Sequence, residues 1–450
     1  MQIRRRFRLL ICAGLFSAAA LSGCGSSSNN ETVPNTVNVF NAHSVIFRNN
    51  STMTIGYNEF GQLGDGTFDN RAVAAIVPGL GRMTKGATGA AHTLVFSNQE
   101  SVVMAWGYNG FGQIGNATVS TSSGLAFTKE PVPVQFDALV SDVAAGGFHS
   151  LAVAGGAVWG WGYNANGQVG DGTTGNKSVP VKLAKDAADA DLPATAVQVA
   201  GGGLHSLALF QDGAANSVYA WGSNSHGQLG FSPYSTGTYT PLKPNKVRLT
   251  EVVGKVEQIA AGNKFSLALE VVRDGLDNPT GQKLWGWGYG AAGQLKADPR
   301  NLAMLVANNT DTAYSYKPVL MFAGPLAGNV FITKIAAGLD HVLLLLSDGT
   351  VQTVGFNFYG QLGNDMNPVV VNGTSTSTAV SSFELVNTLN TDGTGNLTGA
   401  TDIAAFGNHS LALVNGKWYG WGNNNMGQLG SPASSSSAGN PKRPRLVEGF

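Results

Sequence analysis

Cysteine is almost missing from this 450-residue chain, which holds two, Cys12 and Cys24, both near its start. The remainder is free of thiols, which excludes a disulfide framework, a cysteine nucleophile and any Cys-based metal site. Charge is equally sparse: 27 basic and 27 acidic side chains make up 12% of the residues and cancel. A nucleic-acid binder would show a strong basic footprint, and none is present. No Gly-x-Ser-x-Gly elbow, no Gly-x-x-x-x-Gly-Lys-Ser/Thr phosphate cradle and no His-Glu-x-x-His occurs. The signatures of a hydrolase, a nucleotide binder and a zinc peptidase are therefore absent. Long helical periods are lacking too, and the apolar residues fall in short alternating runs between glycine-rich turns, the pattern of β-strands.

What the chain does have is repetition. A block ending in Gly-Gln-(Leu/Ile/Val) occurs seven times, with glutamines at Gln62, Gln113, Gln168, Gln228, Gln294, Gln361 and Gln428. In five copies the block opens on a Trp-Gly pair, at Trp106, Trp161, Trp221, Trp287 and Trp421. A second motif keeps step with it and carries six of the seven histidines, His43, His92, His149, His205, His341 and His409, while Phe265 stands at the fifth position. Such a period signals stacked or radially arranged units, because one unit cannot bury its own apolar face.

Each unit reads as four antiparallel strands: a Pro/Val strand such as Pro131 to Gln135, a Val-x-x-Ala-Ala-Gly strand, a His-Ser-Leu-Ala-Leu strand and a strand ending in Trp-Gly. Seven units in a ring give an all-β fold, a seven-bladed β-propeller of four-stranded antiparallel blades with short, protected edges. The first unit lacks its Pro/Val strand and the chain ends on Arg443 to Val447. The ring is therefore expected to be closed by the C-terminal strand, completing the blade that the N-terminus begins. The paired motifs resemble the repeat of the regulator of chromosome condensation family, over nearly everything from residue 36 to 450. That resemblance implies a seven-bladed propeller but no single activity, since members include a nuclear exchange factor, a secreted β-lactamase inhibitor and scaffolding domains.

The start of the chain suggests an address. Arg4, Arg5, Arg6 and Arg8 precede an apolar stretch from Leu9 to Leu21, too short to span a bilayer and suited to a signal peptide. Leu21-Ser22-Gly23-Cys24 resembles the lipobox of bacterial lipoproteins, so residues 1–23 are expected to leave and Cys24 to become the lipidated N-terminus. Residues 24–35 would form a flexible tether, and residues 36–450 the propeller. Gly25 after the cysteine points to the outer membrane in a host that has one. Without its signal the chain carries 23 basic against 27 acidic residues.

The recurring residues have structural explanations. The tryptophans suit packing between blades, the histidines a hydrogen bond across their turn, and the glutamine amides backbone groups between blades. One histidine per blade, with no i+4 partner, gives no converging metal site, and no cofactor is expected. Asp65-Gly66-Thr67 and Asp171-Gly172-Thr173 read as turns of the repeat, and the acidic run Asp186 to Asp191 as a solvated loop. Specificity then falls to insertions at one end of the ring: Asn116 to Glu130, Phe231 to Asn245, Lys296 to Tyr316, Asn364 to Val380 and Ser431 to Asn440. Tyr234, Tyr239, Tyr314 and Tyr316 among small polar residues are the candidate partner-binding set. The expected function is a non-catalytic, lipid-anchored, monomeric module for a protein or cell-envelope partner, without nucleic acid. The alternative is an envelope hydrolase, or an inhibitor of a secreted enzyme, that uses the same loops. Guanine-nucleotide exchange does not suit an exported chain.

Overall fold

The structure is a computed structural model that describes residues 42–48, 50–97, 102–117, 126–213, 215–232, 242–295, 314–326, 328–365, 370–371, 374–375, 381–430 and 440–447. Cys24, the expected tether, Tyr234 and Tyr239 lie outside the described residues. Seven antiparallel blade sheets follow one another along the described residues, and a two-stranded ribbon, Val370–Val371 with Thr374–Ser375, is inserted within the sixth. The third is typical: Val140–Ala145, His149–Ala154, Ala157–Gly162 and Lys177–Lys182 pair in chain order. Six blades show all four strands, and the first shows three among the described residues, His43–Arg48, Ser51–Gly56 and Arg71–Ile76. The seven-bladed propeller read from the repeats is the observed fold.

The phase of the blades is one strand later than the repeats suggested. The Pro/Val strand belongs to the blade before it, with Val134 paired to Val103 and Val181 to Gly160. A chain leaving the Trp-Gly strand turns through Gly-Gln-Leu-Gly and comes straight back beside it, so that strand is its hydrogen-bond partner. The C-terminal strand Arg445–Leu446 accordingly pairs with Tyr419 and Gly420 of blade seven, not with blade one. Its neighbour Val447 still lies at the closure, in a buried cluster with Ile46, Ile55 and Ala74 of blade one and Leu411, Trp418 and Leu429 of blade seven.

The Ala-Ala-Gly strands lie at the centre, where their exposed edges would invite pairing. Side chains of one blade satisfy them. Gln198 accepts the Ile259 N–H at 2.9 Å, Gln258 accepts that of Ile335 at 3.1 Å, and Asp142 accepts that of Val199 at 2.9 Å. Lys85 pairs with Asp142, and Lys334 with Asp402, across two further junctions. At the mouth, backbone N–H groups of Ala90, Gly203, Asn263 and Leu339 donate to carbonyls of the following blade.

Each junction is sealed by the repeat residues. Trp106, Trp161, Trp221, Trp287 and Trp421 are fully buried, and each indole N–H donates to the glutamine carbonyl of the preceding blade at 2.8–2.9 Å. The glycine after that turn must stay bare. Gly115 has φ +74°, and a Cβ there would lie 2.6 Å from Trp161 Nε1.

Candidate functional site

The motif residues first have to be separated from any site. Each histidine Nε2 meets the hydroxyl of Ser or Thr in the next blade: His43 with Thr93, His92 with Ser150, His149 with Ser206, His205 with Ser266, His341 with Ser410 and His409 with Ser44, all at 2.8–3.0 Å. These hydroxyls also donate to the glutamine carbonyls, as Ser206 does to Gln168 at 2.7 Å, so Nε2 must carry the proton that they accept. The bond therefore crosses between blades rather than across the turn, and the last one closes the ring. Burial pushes all six imidazoles down to about 3, so they are neutral at ordinary pH.

The glutamine side chains differ from expectation as well. Each Oε1 accepts the N–H two residues earlier in its own turn, as in Gln113 with Phe111 at 3.0 Å and Gln361 with Tyr359 at 2.9 Å. The backbone carbonyls reach between blades, and of the amides Gln361 Nε2 also reaches Asn408 Oδ1 of the next blade, at 3.5 Å. Asp65 and Asp171 hold their turns through Asn58 and Asn164, each at 3.2 Å, while Asp186 caps its own loop through the N–H groups of Ala188 and Ala190.

Variation concentrates at three positions per blade on the end where the Gly-Gln-Leu-Gly loops lie. They are the residue after Trp-Gly, the residue before Gly-Gln, and the residue before the motif histidine. In blades one to three six of these nine positions are aromatic, the exceptions being Ala42, Ala91 and Asn166, and the rings form a continuous arc. Phe60 packs edge-on against Tyr108 of the next blade at 5.3 Å, and Phe111 lies 4.8 Å from Tyr163 of the next. Phe148 sits against both Phe111 and Tyr108, at 5.4 and 6.1 Å. Phe60, Tyr108, Phe148 and Tyr163 remain half-exposed, and Tyr57 donates to Glu59 at 2.8 Å.

In blades four to six the same positions mix polar Ser223, His226, Lys264 and Asp340 with Tyr289, Phe356, Tyr359, Leu204 and Ala292. His226 lies edge-on to Tyr289 at 5.4 Å, Lys264 Nζ is 3.5 Å from His226 Nε2, and Asp340 follows along the ring. Burial pushes the Asp340 carboxyl up to about 6, against the pull of the Lys264 ammonium. Ser225 Oγ is 2.8 Å from His226 Nδ1, a contact that resembles a nucleophile and its base. The other ring nitrogen of His226 faces the Lys264 ammonium rather than a carboxylate that would orient it as a base.

Of the four tyrosines singled out from the sequence, the two described ones are not on a loop. Both open the outer strand Tyr314–Ala323 of blade five. Tyr314 is buried, with its ring near His226 at 6.2 Å, and Tyr316 is half-buried against Tyr314 at 5.1 Å. Sequence reasoning weighed insertions and passed over Phe60, Tyr108, Phe111, Phe148, Tyr163, His226, Lys264 and Asp340. Setting the seven copies in columns would have exposed them as the changing letters inside a constant motif.

The repeats themselves match a known profile, that of the regulator of chromosome condensation (RCC1) repeat, over residues 102–153, 155–209 and 216–269, and a second profile of the same repeat over 332–361. The repeats within those two stretches, 102–269 and 332–361, are RCC1 repeats. Similar proteins include the human probable E3 ubiquitin-protein ligase HERC6, 32% identical over 64% of this chain and 24% of that protein. The ultraviolet-B receptor UVR8 of Arabidopsis thaliana is 29% identical over 68% of this chain and 61% of the receptor. A mouse RCC1-like G exchanging factor-like protein is 31% identical over 61% of this chain and 53% of its own length. The chain thus spans less than two thirds of each of these relatives. Among solved structures, Prp20p of Saccharomyces cerevisiae superposes with a TM-score of 0.67 and 23% identity, over 88% of this chain and 85% of that one, which supports the fold.

Proposed function

We propose that this chain is a non-catalytic RCC1-repeat propeller, held to a bacterial membrane by lipid on Cys24, that presents its Gly-Gln-Leu-Gly end to a protein partner of the cell envelope. One observation carries the reading. Interior contacts repeat from blade to blade, whereas the three positions around the ring mouth vary, with an aromatic arc of Phe60, Tyr108, Phe111, Phe148 and Tyr163 on one side and His226, Lys264 and Asp340 further round. Half-exposed aromatic clusters beside charged groups are the composition of protein interfaces. The relatives bear names as different as ligase, receptor and exchange factor, which fits a shared binding scaffold better than a shared chemistry.

Two measurements test it. A photo-crosslinking residue in place of Phe148 should trap a discrete envelope protein, and the same probe in place of the exposed Leu139 should not. Equal labelling from both positions, or none, removes the mouth as the interface. Cys24→Ser should move the chain out of the membrane fraction, and retention after a high-salt wash would rule out the lipid anchor.

A further inference from the structure

At three junctions of the mouth the residue before Gly-Gln packs onto the blade that follows. Phe60 meets Tyr108, Phe111 meets Tyr163 and Phe148, and His226 meets Tyr289 and Lys264. Between blades five and six that residue is Ala292, whose side chain ends at Cβ. Asp340 and Phe356 hold the two positions in blade six that a longer side chain would meet, and they are neighbours across the strand pair, the Phe356 N–H donating to the Asp340 carbonyl at 2.9 Å. Phe356 is half-exposed and lies parallel to Phe358 at 6.3 Å. Nothing longer than a methyl group reaches toward this carboxyl and ring from the Gly-Gln turn of blade five.

The bonding of Asp340 gives an independent sign. Lost water raises its carboxyl to about 6, yet that carboxyl accepts no hydrogen bond among the described residues. Lys264 acts on it only through space, its ammonium being turned to His226 Nε2 at 3.5 Å and to the Tyr289 ring at 6.0 Å. Other carboxylates at this end are engaged: Asp65 accepts from Asn58 at 3.2 Å and pairs with Arg71, and Asp171 pairs with Lys177 at 2.8 Å. A carboxylate kept from water without a donor is costly. The repeat does not require the charge, since the same position is Ala42, Ala91, Phe148, Leu204 or Asn408 in five blades.

We infer that Asp340 and Phe356 receive an arginine side chain of the protein partner, its guanidinium donating to the Asp340 carboxylate and lying against the Phe356 ring. The inference rests on the mouth being the interface. A guanidinium gives two parallel N–H groups to one carboxylate and a flat, weakly hydrated face to an aromatic ring. An ammonium is more strongly hydrated and has no such face, so lysine suits the place less well. The guest supplies the donor that Asp340 lacks and occupies the space that Phe60, Phe111 and His226 fill at the other junctions.

The full chain is titrated with acetyl-arginine-methylamide and with its uncharged isostere acetyl-citrulline-methylamide, and the Asp340 and Phe356 amides are followed by nuclear magnetic resonance. The arginine probe should saturate both resonances, and the citrulline probe should bind about tenfold more weakly or not at all. Asp340→Asn, which copies Asn408 of blade seven, should weaken the arginine probe by about tenfold or more without lowering the melting temperature. Ala292→Phe puts back the covering ring and should weaken it too, while Lys264→Met removes a competing cation and should strengthen it. Absent saturation by the arginine probe, citrulline binding as tight as arginine, or wild-type affinity in the Asp340 variant overturns the site. Crosslinking from Phe148 separates this failure from failure of the mouth. A partner trapped equally by the wild type and by Asp340→Asn overturns the arginine and keeps the mouth, whereas a wild type that traps nothing removes the mouth and leaves the two probes to decide the site.

Discussion

Two neighbouring junctions of the ring solve the same packing problem with different chemistry. Between blades four and five, His205 Nε2 meets Ser266 at 2.9 Å in a fully buried seam. Between blades five and six, Phe265 stands where the histidine was and Val342 where the serine was, both fully buried in one apolar cluster. The two changes come as a pair: the imidazole and the hydroxyl vanish together, and neither is left without the other. A seam can therefore be hydrogen-bonded or apolar, and the motif histidine is one of two structural solutions rather than a reactive group. A half-replaced seam would bury a polar group without its partner, which is costly.

Acid should separate the two kinds of seam most strongly. Each motif histidine has its folded pKa pushed down to about 3, below the ordinary 6.5. Below pH 6.5 the unfolded chain takes up protons that the folded ring refuses, so this stability is complete above pH 6.5 and is lost as pH falls toward 3. At about 1.4 kcal/mol per pH unit per histidine, six of them remove on the order of 10 kcal/mol by pH 5, as much as many domains possess. Asp340, raised to about 6, works in the opposite direction, but it is a single group. A melting temperature equal at pH 7 and pH 4.5 would show that the seams are not neutral and buried.

Smaller, and local to one seam, is the loss of a tryptophan. Trp161→Ala leaves a cavity in a cluster with Leu94, Ile114 and Val143 and removes the donor to the Gln113 carbonyl, and should cost ~3–5 kcal/mol in denaturant melts. His149→Ala should cost less, ~1–3 kcal/mol, through a void and a Ser206 hydroxyl without its donor. Copying the natural exception sharpens the comparison. His149→Phe with Ser206→Val should be more stable than the two single changes added together by ~1 kcal/mol or more, since the Gln168 carbonyl keeps its bond from Trp221 at 2.9 Å. Strict additivity would mean that the blade-six seam owes its stability to something else.

The repeat made the interior legible and left the surface obscure, for physical reasons. Trp-Gly, Gly-Gln-Leu-Gly and His-Ser recur because each blade meets the next through the same contacts, so the number of blades could be read from the motifs. Blade phase could not, since a circular repeat reads the same whichever strand is counted first. Only the pairing of Val134 with Val103 decides it. The histidine partners were hidden because the hydroxyl each one meets lies 50 to 365 positions away, never in its own turn. The ring-mouth residues were overlooked because single letters inside a strong motif carry less visual weight than long insertions, although geometry gathers those letters into one arc. Tyr314 misled in the other sense: its composition looked like a loop surface, but it pairs with Tyr289 in a sheet and is buried.

The weakest expected effect on stability is also the one that bears most directly on function. Phe148 and Tyr163 are half-exposed at the mouth, on positions where other blades carry Leu204, Lys264 or Asp340, and Ser223 or Asn423. The ring thus already tolerates an aliphatic, a cation, a carboxyl, a hydroxyl and an amide there. Changing Phe148→Leu and Tyr163→Ser together removes two rings from the arc and copies blade four, so folding free energy should move by no more than ~1 kcal/mol. Aromatic interface residues commonly contribute ~2 kcal/mol or more each to binding, so capture of the envelope partner should fall at least thirtyfold. Denaturant melts and quantitative crosslinking on the same preparations read both numbers. A variant that melts early would make the arc part of the core, and one that is stable and still captures its partner fully would place the interface elsewhere on the ring.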